Sequence, residues 1–382
     1  MRYVSRVVLM LLTIVFALIL SACGRQTLET TLVTDPTHFY EEVKDGILID
    51  ADVIRSEGKL IPKVYEAQRI TFNEEKVAAF LSILGDGVET VTYDATVDGV
   101  RTYYADTKAG CEIAFSTSPD VETLNDCFAF YDRAYDYYYD AVLRAHSRSK
   151  ESNTIEPDNS DLYVEPRTFS FGTAEQVEEQ VRQALAVLGL HDLILEEILY
   201  MDHETMAAEE FHGAEIYNNI YGGYGETYEF KDSWTEEDDC YFFQFCTGID
   251  GISTVKSLQS SPLLFIQPGY IQVYYNESGI VKLIAGYLWE PTVVIEEPAT
   301  IVSATEAMGV VREKLNGVYF GHDVQVMEIA LRYQVIQNYN SWKLSPVWEV
   351  LMCEKNVTGQ WSGDTYDAYS YILIDAVTGE EM

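Results

Sequence analysis

The sequence predicts an α+β protein built from antiparallel sheets, each covered by a helix. Two patterns point there. Three segments open with a helix start signal and carry an apolar stripe at helical spacing, while much of the rest alternates apolar and polar residues with period two.

The first helix signal is Thr71 with Glu74 three residues on, a capping box that satisfies two otherwise unpaired backbone donors. Val77, Phe80, Leu81 and Leu84 follow as its stripe. The second is Thr173 with Gln176, leading to Val177, Val181, Ala184, Leu185 and Leu188. The third is Ser303 with Glu306, leading to Ala307, Val310, Val311 and Leu315. Among the strands, Ile47, Ile49, Ala51 and Val53 alternate with Leu48, Asp50, Asp52 and Ile54. Met327, Ile329, Leu331, Tyr333 and Val335 alternate with Glu328, Ala330, Arg332 and Gln334. Such strands have one face on a core and the other towards water.

A polar, turn-rich run without periodicity at 147–166 marks a linker. It divides an N-terminal α+β domain, 46–146, from a C-terminal domain, 167–382, and residues 23–45 are expected to be a tether. Inside the C-terminal domain the order helix, strand, strand, strand occurs twice, in units of about 167–297 and 298–382. The first unit has strands near Leu193–Met201, Tyr241–Cys246 and Tyr270–Val273; the second has them near Val324–Val335, Val347–Cys353 and Tyr371–Ile374. This suggests a tandem repeat, with an insertion between Thr205 and Asp239 in the first copy.

The N-terminus predicts an address. Arg2 and Arg6 precede 14 uncharged residues, Val7 to Leu20, and then Leu20-Ser21-Ala22-Cys23. A spanning helix needs ~20 apolar residues, whereas a signal-peptide core needs ~7–15. The four residues resemble the lipobox of bacterial lipoproteins, which implies cleavage between Ala22 and Cys23 and lipidation of Cys23. The plainer alternative is an ordinary secretory signal with a chance cysteine. The lipobox reading places residues 23–382 on the extracytoplasmic face of the cell membrane, bound to membrane lipid through Cys23.

The chain carries 62 acidic and 25 basic residues, a net charge of −37. Such a surface repels nucleic acid and anionic lipid head groups, which need a basic face, and attracts cations or basic peptides. Of six cysteines, removal of Cys23 leaves Cys111, Cys127, Cys240, Cys246 and Cys353. No pair has CxxC spacing, so zinc-ribbon and thioredoxin-type sites are excluded, and the pairing of an odd set cannot be read from spacing.

Pro346-Val347-Trp348-Glu349-Val350, followed by Tyr371-Ile372-Leu373-Ile374-Asp375-Ala376-Val377-Thr378-Gly379-Glu380, resembles the closing strands of YycH/YycI-type and PepSY-like envelope domains. That resemblance covers about 167–382. The whole chain past the leader also resembles an uncharacterised, domain-of-unknown-function class of lipoproteins from Gram-positive bacteria. YycH and YycI regulate a sensor kinase through contacts that include a membrane-spanning helix, and here a lipobox stands in its place. The resemblance implies a non-catalytic binding or regulatory module.

GxSxG, GxxxxGK[ST], HExxH and EF-hand patterns are absent, and no cofactor motif is present. The richest titratable stretch, Asp202-His203-Glu204 with Glu209, Glu210 and His212, offers at most two converging ligands on a helix, too few for zinc. Asp132, Asp136 and Asp140 recur every four residues, which on a helix stacks three carboxylates on one face. They are a candidate cation site, or a solvated stripe neutralised by Arg133 and Arg144 opposite Phe130, Ala134, Tyr137 and Ala141. Tyr217, Tyr221, Tyr224 and Tyr228, interleaved with Gly222, Gly223 and Gly225, are a candidate recognition loop for sugar rings or a peptide, or else loop packing.

The leading expectation is therefore a non-enzymatic envelope lipoprotein that binds a protein partner. The alternative is a glycan- or cation-binding substrate-capture lipoprotein. Cys23→Ala is expected to abolish acylation and move the protein from the membrane to the soluble fraction, as read by metabolic labelling with a fatty acid and by fractionation.

Overall fold

The computed structural model describes residues 35–55, 61–93, 102–116, 127–144, 148–153, 158–221, 227–261, 264–298, 300–338, 341–358 and 365–382. The expected leader, with Ala22 and Cys23, lies outside these. Thr37–Met382 forms one compact unit, and its class is α+β.

Five helices are described: α1 (Glu74–Ile83), α2 (Asp136–Val142), α3 (Ala174–Val187), α4 (His203–Tyr221) and α5 (Ala304–Gly317). At α3 and α5 the Thr173/Gln176 and Ser303/Glu306 capping boxes are both closed. At α1 the cap is Asn73 rather than Thr71. The extended Asn73 accepts from Lys76 N at 2.9 Å, because asparagine caps at least as well as threonine and stands nearer the apolar stripe.

The strands form two large sheets. A terminal sheet, made from both ends of Thr37–Met382, runs in the order β1 (His38–Lys44), β2 (Ile47–Ile54), β16 (Val324–Asn338), β17 (Ser341–Thr358), β3 (Val64–Arg69), β15 (Trp289–Glu296). Strand β18 (Thr365–Asp375) also pairs with β17. A central sheet runs β10 (Ile252–Ser253), β9 (Cys240–Ile249), β13 (Tyr270–Asn276), β14 (Gly279–Gly286), β7 (Cys127–Tyr131), β6 (Glu112–Ser116), β5 (Thr102–Thr107), β4 (Val88–Tyr93). Strand β8 (Leu193–Met201) pairs with β9. A separate ribbon joins β11 (Gln259–Ser261) to β12 (Leu264–Ile266).

Helix α5 lays Ala304, Ala307, Met308, Val311 and Leu315 on the terminal sheet, against Ile49, Ile329, Trp348 and Ile374. Helices α1 and α3 cover one face of the central sheet, where Phe80, Val181 and Leu185 meet Phe128, Phe243 and Val273. Because β9 alternates, Phe242 faces the other way and meets Tyr139, Met206 and Tyr274 under α2 and α4.

The order of chain and space corrects the expected division at 147–166. Residues 46–146 do not form a domain: β2 and β3 enter the terminal sheet while β4 to β7 enter the central one. The chain leaves the terminal sheet at Arg69 and returns at Trp289, and these two residues are register partners. The central sheet is thus inserted between two parts of the terminal one. Helix α3 with β8, β9 and β13, and α5 with β16, β17 and β18, each run helix then antiparallel meander, but each meander completes its sheet with strands from the first 131 residues. Polarity made 147–166 read as a linker, yet Arg148 and Asn159 are buried there. The expected tether also ends early, since β1 occupies His38–Lys44 with Phe39 buried.

The polar face of β16 is not solvated either. A register shift between Val326 and Glu328 turns Met327 out, so that Val324, Val326, Ile329 and Leu331 share the core face. On the reverse face Arg332 and Gln334 are buried against the central sheet, as is Glu349 of β17. Arg332 Nε lies 2.8 Å from Glu349 Oε2, and Glu349 also accepts from Lys256 N and Ser257 N at 2.9 and 2.8 Å. On the central side Arg148 is fully buried. Its guanidinium forks onto Glu196 and donates to the carbonyls of Thr254 and Gly269 at 2.8 and 2.6 Å. Glu196 is the extra residue of a register shift between Leu195 and Glu197, and it also reaches Arg332 Nη1 at 3.9 Å.

Burial opposes ionisation of Glu196, but the Arg148 guanidinium outweighs it and pulls the carboxyl down to about 2. A folded pKa below the unfolded value means stability that is full above about pH 4.5 and lost as pH falls towards 2, on the order of 3 kcal/mol. Urea unfolding across that window is expected to give a wild-type slope with pH that Glu196→Gln flattens by about that amount.

Candidate functional site

The three aspartates do not share a helix face. Strand β7 extends through Phe130 and Tyr131, so Asp132 falls in the turn before α2, where its Oδ1 accepts from Ala134 N at 3.0 Å. Asp140 ion-pairs with Lys282 of β14, whose ammonium lies 5.4 Å from the Tyr131 ring centroid. The side chain of Asp136 lies outside the described residues. Arg133 pairs with Asp106 and Glu112, and Arg144 with Glu209 at 2.9 Å. The expected cation site is therefore corrected: Asp132 sits in a turn and Asp140 is paired with Lys282, because the helix begins only at Asp136.

The titratable stretch at 202–212 resolves into structural roles. Asp202 caps α4, accepting from Thr205 N at 3.1 Å, and also pairs with Arg167 at 3.2 Å. His203 Nδ1 meets Asp239 Oδ1 at 2.8 Å, and that hydrogen bond raises the imidazole pKa against the effect of burial. His212 is exposed. Among the described residues no three His, Cys, Asp or Glu side chains converge to hold a metal ion.

Glu210 is buried and collects three donors: the Tyr228 hydroxyl at 3.1 Å, Lys231 N at 2.7 Å and Trp234 Nε1 at 2.8 Å. This corrects the recognition loop at Tyr228. A buried phenol needs an acceptor, Glu210 supplies it, and the ring stacks on Tyr137 at 4.9 Å. Burial, then the Glu210 charge, pushes the Tyr228 hydroxyl pKa up. Tyr224 and the side chains of Tyr217 and Tyr221 lie outside the described residues. Lys231 completes the arrangement. Its ammonium pairs with Asp238 at 2.9 Å and sits 5.2 Å from Tyr138 and 5.5 Å from Trp234, a cation held by aromatic faces. Helix α4 can come this close to α2 because residue 213 is glycine; a Cβ there would stand 1.9 Å from Ala141 O.

Pinned in this way, 227–239 presents Phe230 outward. Phe230 is 54% exposed and its ring lies 6.4 Å from that of Phe211 on α4, itself 72% exposed, with 26° between the planes. Below, Phe230 meets buried Tyr228 edge-to-face at 5.4 Å. Sequence reasoning missed this pair, although a signal existed. Met206, Glu210 and Ala214 recur every four residues and define the buried face of α4, and Phe211 falls off it.

The thiols of Cys111, Cys240, Cys246 and Cys353 are free and buried, and the side chain of Cys127 lies outside the described residues. Burial pushes the Cys246 thiol up to about 11, the opposite of what a nucleophile needs.

The two interlocked sheets and their helix layers define an α+β class that has a solved counterpart. A crystal structure of an uncharacterized protein from Eubacterium rectale ATCC 33656 superposes with a TM-score of 0.64 at 18% identity, covering 91% of this chain and 93% of that one. At that identity the likeness shows a shared fold. No family model matches the sequence, and no curated protein does.

Glu210→Leu strands three donors in a buried setting. It is expected to lower the unfolding free energy by about 1–3 kcal/mol in urea titrations. Limited trypsinolysis of the native variant is expected to cut after Lys231 faster than in the wild type.

Proposed function

We propose that the protein is a lipoprotein anchored through Cys23 on the extracytoplasmic face of the membrane, and that its folded part binds a protein partner without catalysing a reaction. The observation that carries the reading is the Phe211–Phe230 pair: two large rings, 72% and 54% exposed, fixed on the Glu210 node. Aromatic side chains held rigid before binding lose little entropy when covered, and such residues dominate the energetics of protein interfaces. With a net charge of −37, the matching partner surface is an apolar pocket with a basic rim. Support for a non-catalytic role comes from Asp202, Glu209 and Glu210, which are engaged in capping, in an ion pair with Arg144 and in the Glu210 node. The lipobox supplies the address. Glycan capture by a tyrosine loop has less support, since Tyr228 is turned into the protein.

Phe211→Ser with Phe230→Ser removes the two rings and is expected to leave the melting temperature nearly unchanged, because both side chains are exposed. Crosslinking on intact cells is expected to yield a specific adduct with the wild type and to lose it with this double variant. Equal recovery from both would contradict the proposal.

A further inference from the structure

A trough of about 170 Å³ opens on the central sheet, on the face turned away from α1 and α3. Its walls are Tyr104 of β5 and Tyr131 of β7, its floor is Ala114 of β6, and Asp106 and Glu112 close one end. We infer that this trough binds a single neutral sugar ring, a pyranose whose C–H faces lie against the two tyrosines and whose hydroxyls meet the carboxylates. The inference goes beyond partner binding through Phe211 and Phe230 and stands without it.

Strand register builds the slot. Because side chains alternate, Ala105, Ile113 and Phe130 enter the core under α1 and α3, and Tyr104, Asp106, Glu112, Ala114 and Tyr131 stand on the reverse face. Tyr104 pairs with Ala114, and Glu112 pairs with Tyr131, so the tyrosines rise from the strands on either side of β6. Two strand spacings, ~9–10 Å, separate those strands. With only a methyl group between them at Ala114, that leaves room for one saturated ring between two aromatic faces. The α2–α4 layer does not fill it: among the described residues its core reaches β8, β9, β13 and β14, and Tyr104 remains 46% exposed.

A wall and the closed end are set before anything binds. Strand β7 lies between β14 and β6, and the Lys282 ammonium of β14 sits 5.4 Å from the Tyr131 ring centroid, which leaves the other face of that ring to the trough. Arg133 reaches both carboxylates, with Nη2 3.1 Å from Asp106 Oδ1. It holds Asp106 and Glu112 in place and balances half of their charge. Each ionised carboxylate has about four acceptor sites, so lone pairs remain on both for hydroxyl donors.

A pyranose presents what these groups need. Its C–H bonds carry slight positive charge and pack on the negative face of an aromatic ring, while its edge carries hydroxyls. A purely apolar ring would strip water from Asp106 and Glu112 without replacing the hydrogen bonds. About 170 Å³ is below the ~300–1,000 Å³ of sites for drug-sized ligands, so one ring is held rather than a chain of them.

The test uses methyl β-glucoside, the open-chain polyol sorbitol and the flat apolar ring of benzyl alcohol, each titrated against the protein by saturation-transfer NMR. The glucoside is expected to bind with about millimolar affinity and to take most saturation at its ring C–H protons, with sorbitol at least about tenfold weaker. Tyr104→Ala is expected to weaken the glucoside by about tenfold or more, whereas Tyr104→Phe keeps it, because the wall needs the ring and not the hydroxyl. Ala114→Leu, at a half-buried position on the trough floor, is a second variant that fills the space without touching a wall or a carboxylate, and it is expected to abolish the transfer. Equal transfer to glucoside and sorbitol, no transfer to the glucoside in the tens of millimolar, tighter binding of benzyl alcohol than of the glucoside, or glucoside binding unchanged in Tyr104→Ala and Ala114→Leu would each overturn the inference.

Discussion

Four buried charges hold the two sheets in one piece. Arg148 and Glu196 belong to the central side, Arg332 and Glu349 to the terminal side, and Glu196 touches both arginines. Two positive and two negative groups balance, which is the condition for keeping charges away from water at all. A buried ion pair of this kind adds little net stability compared with well-packed hydrocarbon, but loss of one member leaves a stranded charge. Its effect is therefore on specificity. The polar faces of β16 and β17 can meet only a surface that presents Glu196, the amides of Lys256 and Ser257, and the hydroxyl of Ser253 in matching places.

That requirement fits the path of the chain. Because the central sheet is inserted between β3 and β15, both crossings of the chain occur side by side at Arg69 and Trp289, and Ile70 N closes onto Leu288 O at 3.0 Å. Two adjacent crossings alone would form a hinge. The Arg148–Glu196–Arg332–Glu349 cluster, together with Ile249 and Ile252 in the terminal core and Tyr65 bonded to Asp250 at 2.5 Å, closes it. The candidate surface belongs to the central sheet: Phe211 and Phe230 lie on its α2–α4 side.

What could be read from the sequence followed from local physics. Capping boxes located α3 and α5, and period-two runs located β2 and β16, because caps and alternation depend on neighbours within a few residues. Pairing across the chain was not legible. That β2 lies parallel to β16, or that β7 lies against β14, is decided by which surfaces exclude water together. The same limit hid Arg332 and Glu349, whose polarity reads as exposure when only one strand is in view. It also misplaced Tyr228, whose burial depends on a carboxylate 18 positions earlier, and Asp132, which four-residue spacing put on a helix that starts later.

The most direct test of the two sheets acting as one body is differential scanning calorimetry of the compact unit Thr37–Met382. A single reversible transition is predicted, with the calorimetric enthalpy equal to the van't Hoff value, since separation of the sheets costs Glu196 its contact with Arg332 and Glu349 the amides of Lys256 and Ser257. Two separable transitions, with the central sheet surviving the loss of the terminal one, would contradict it.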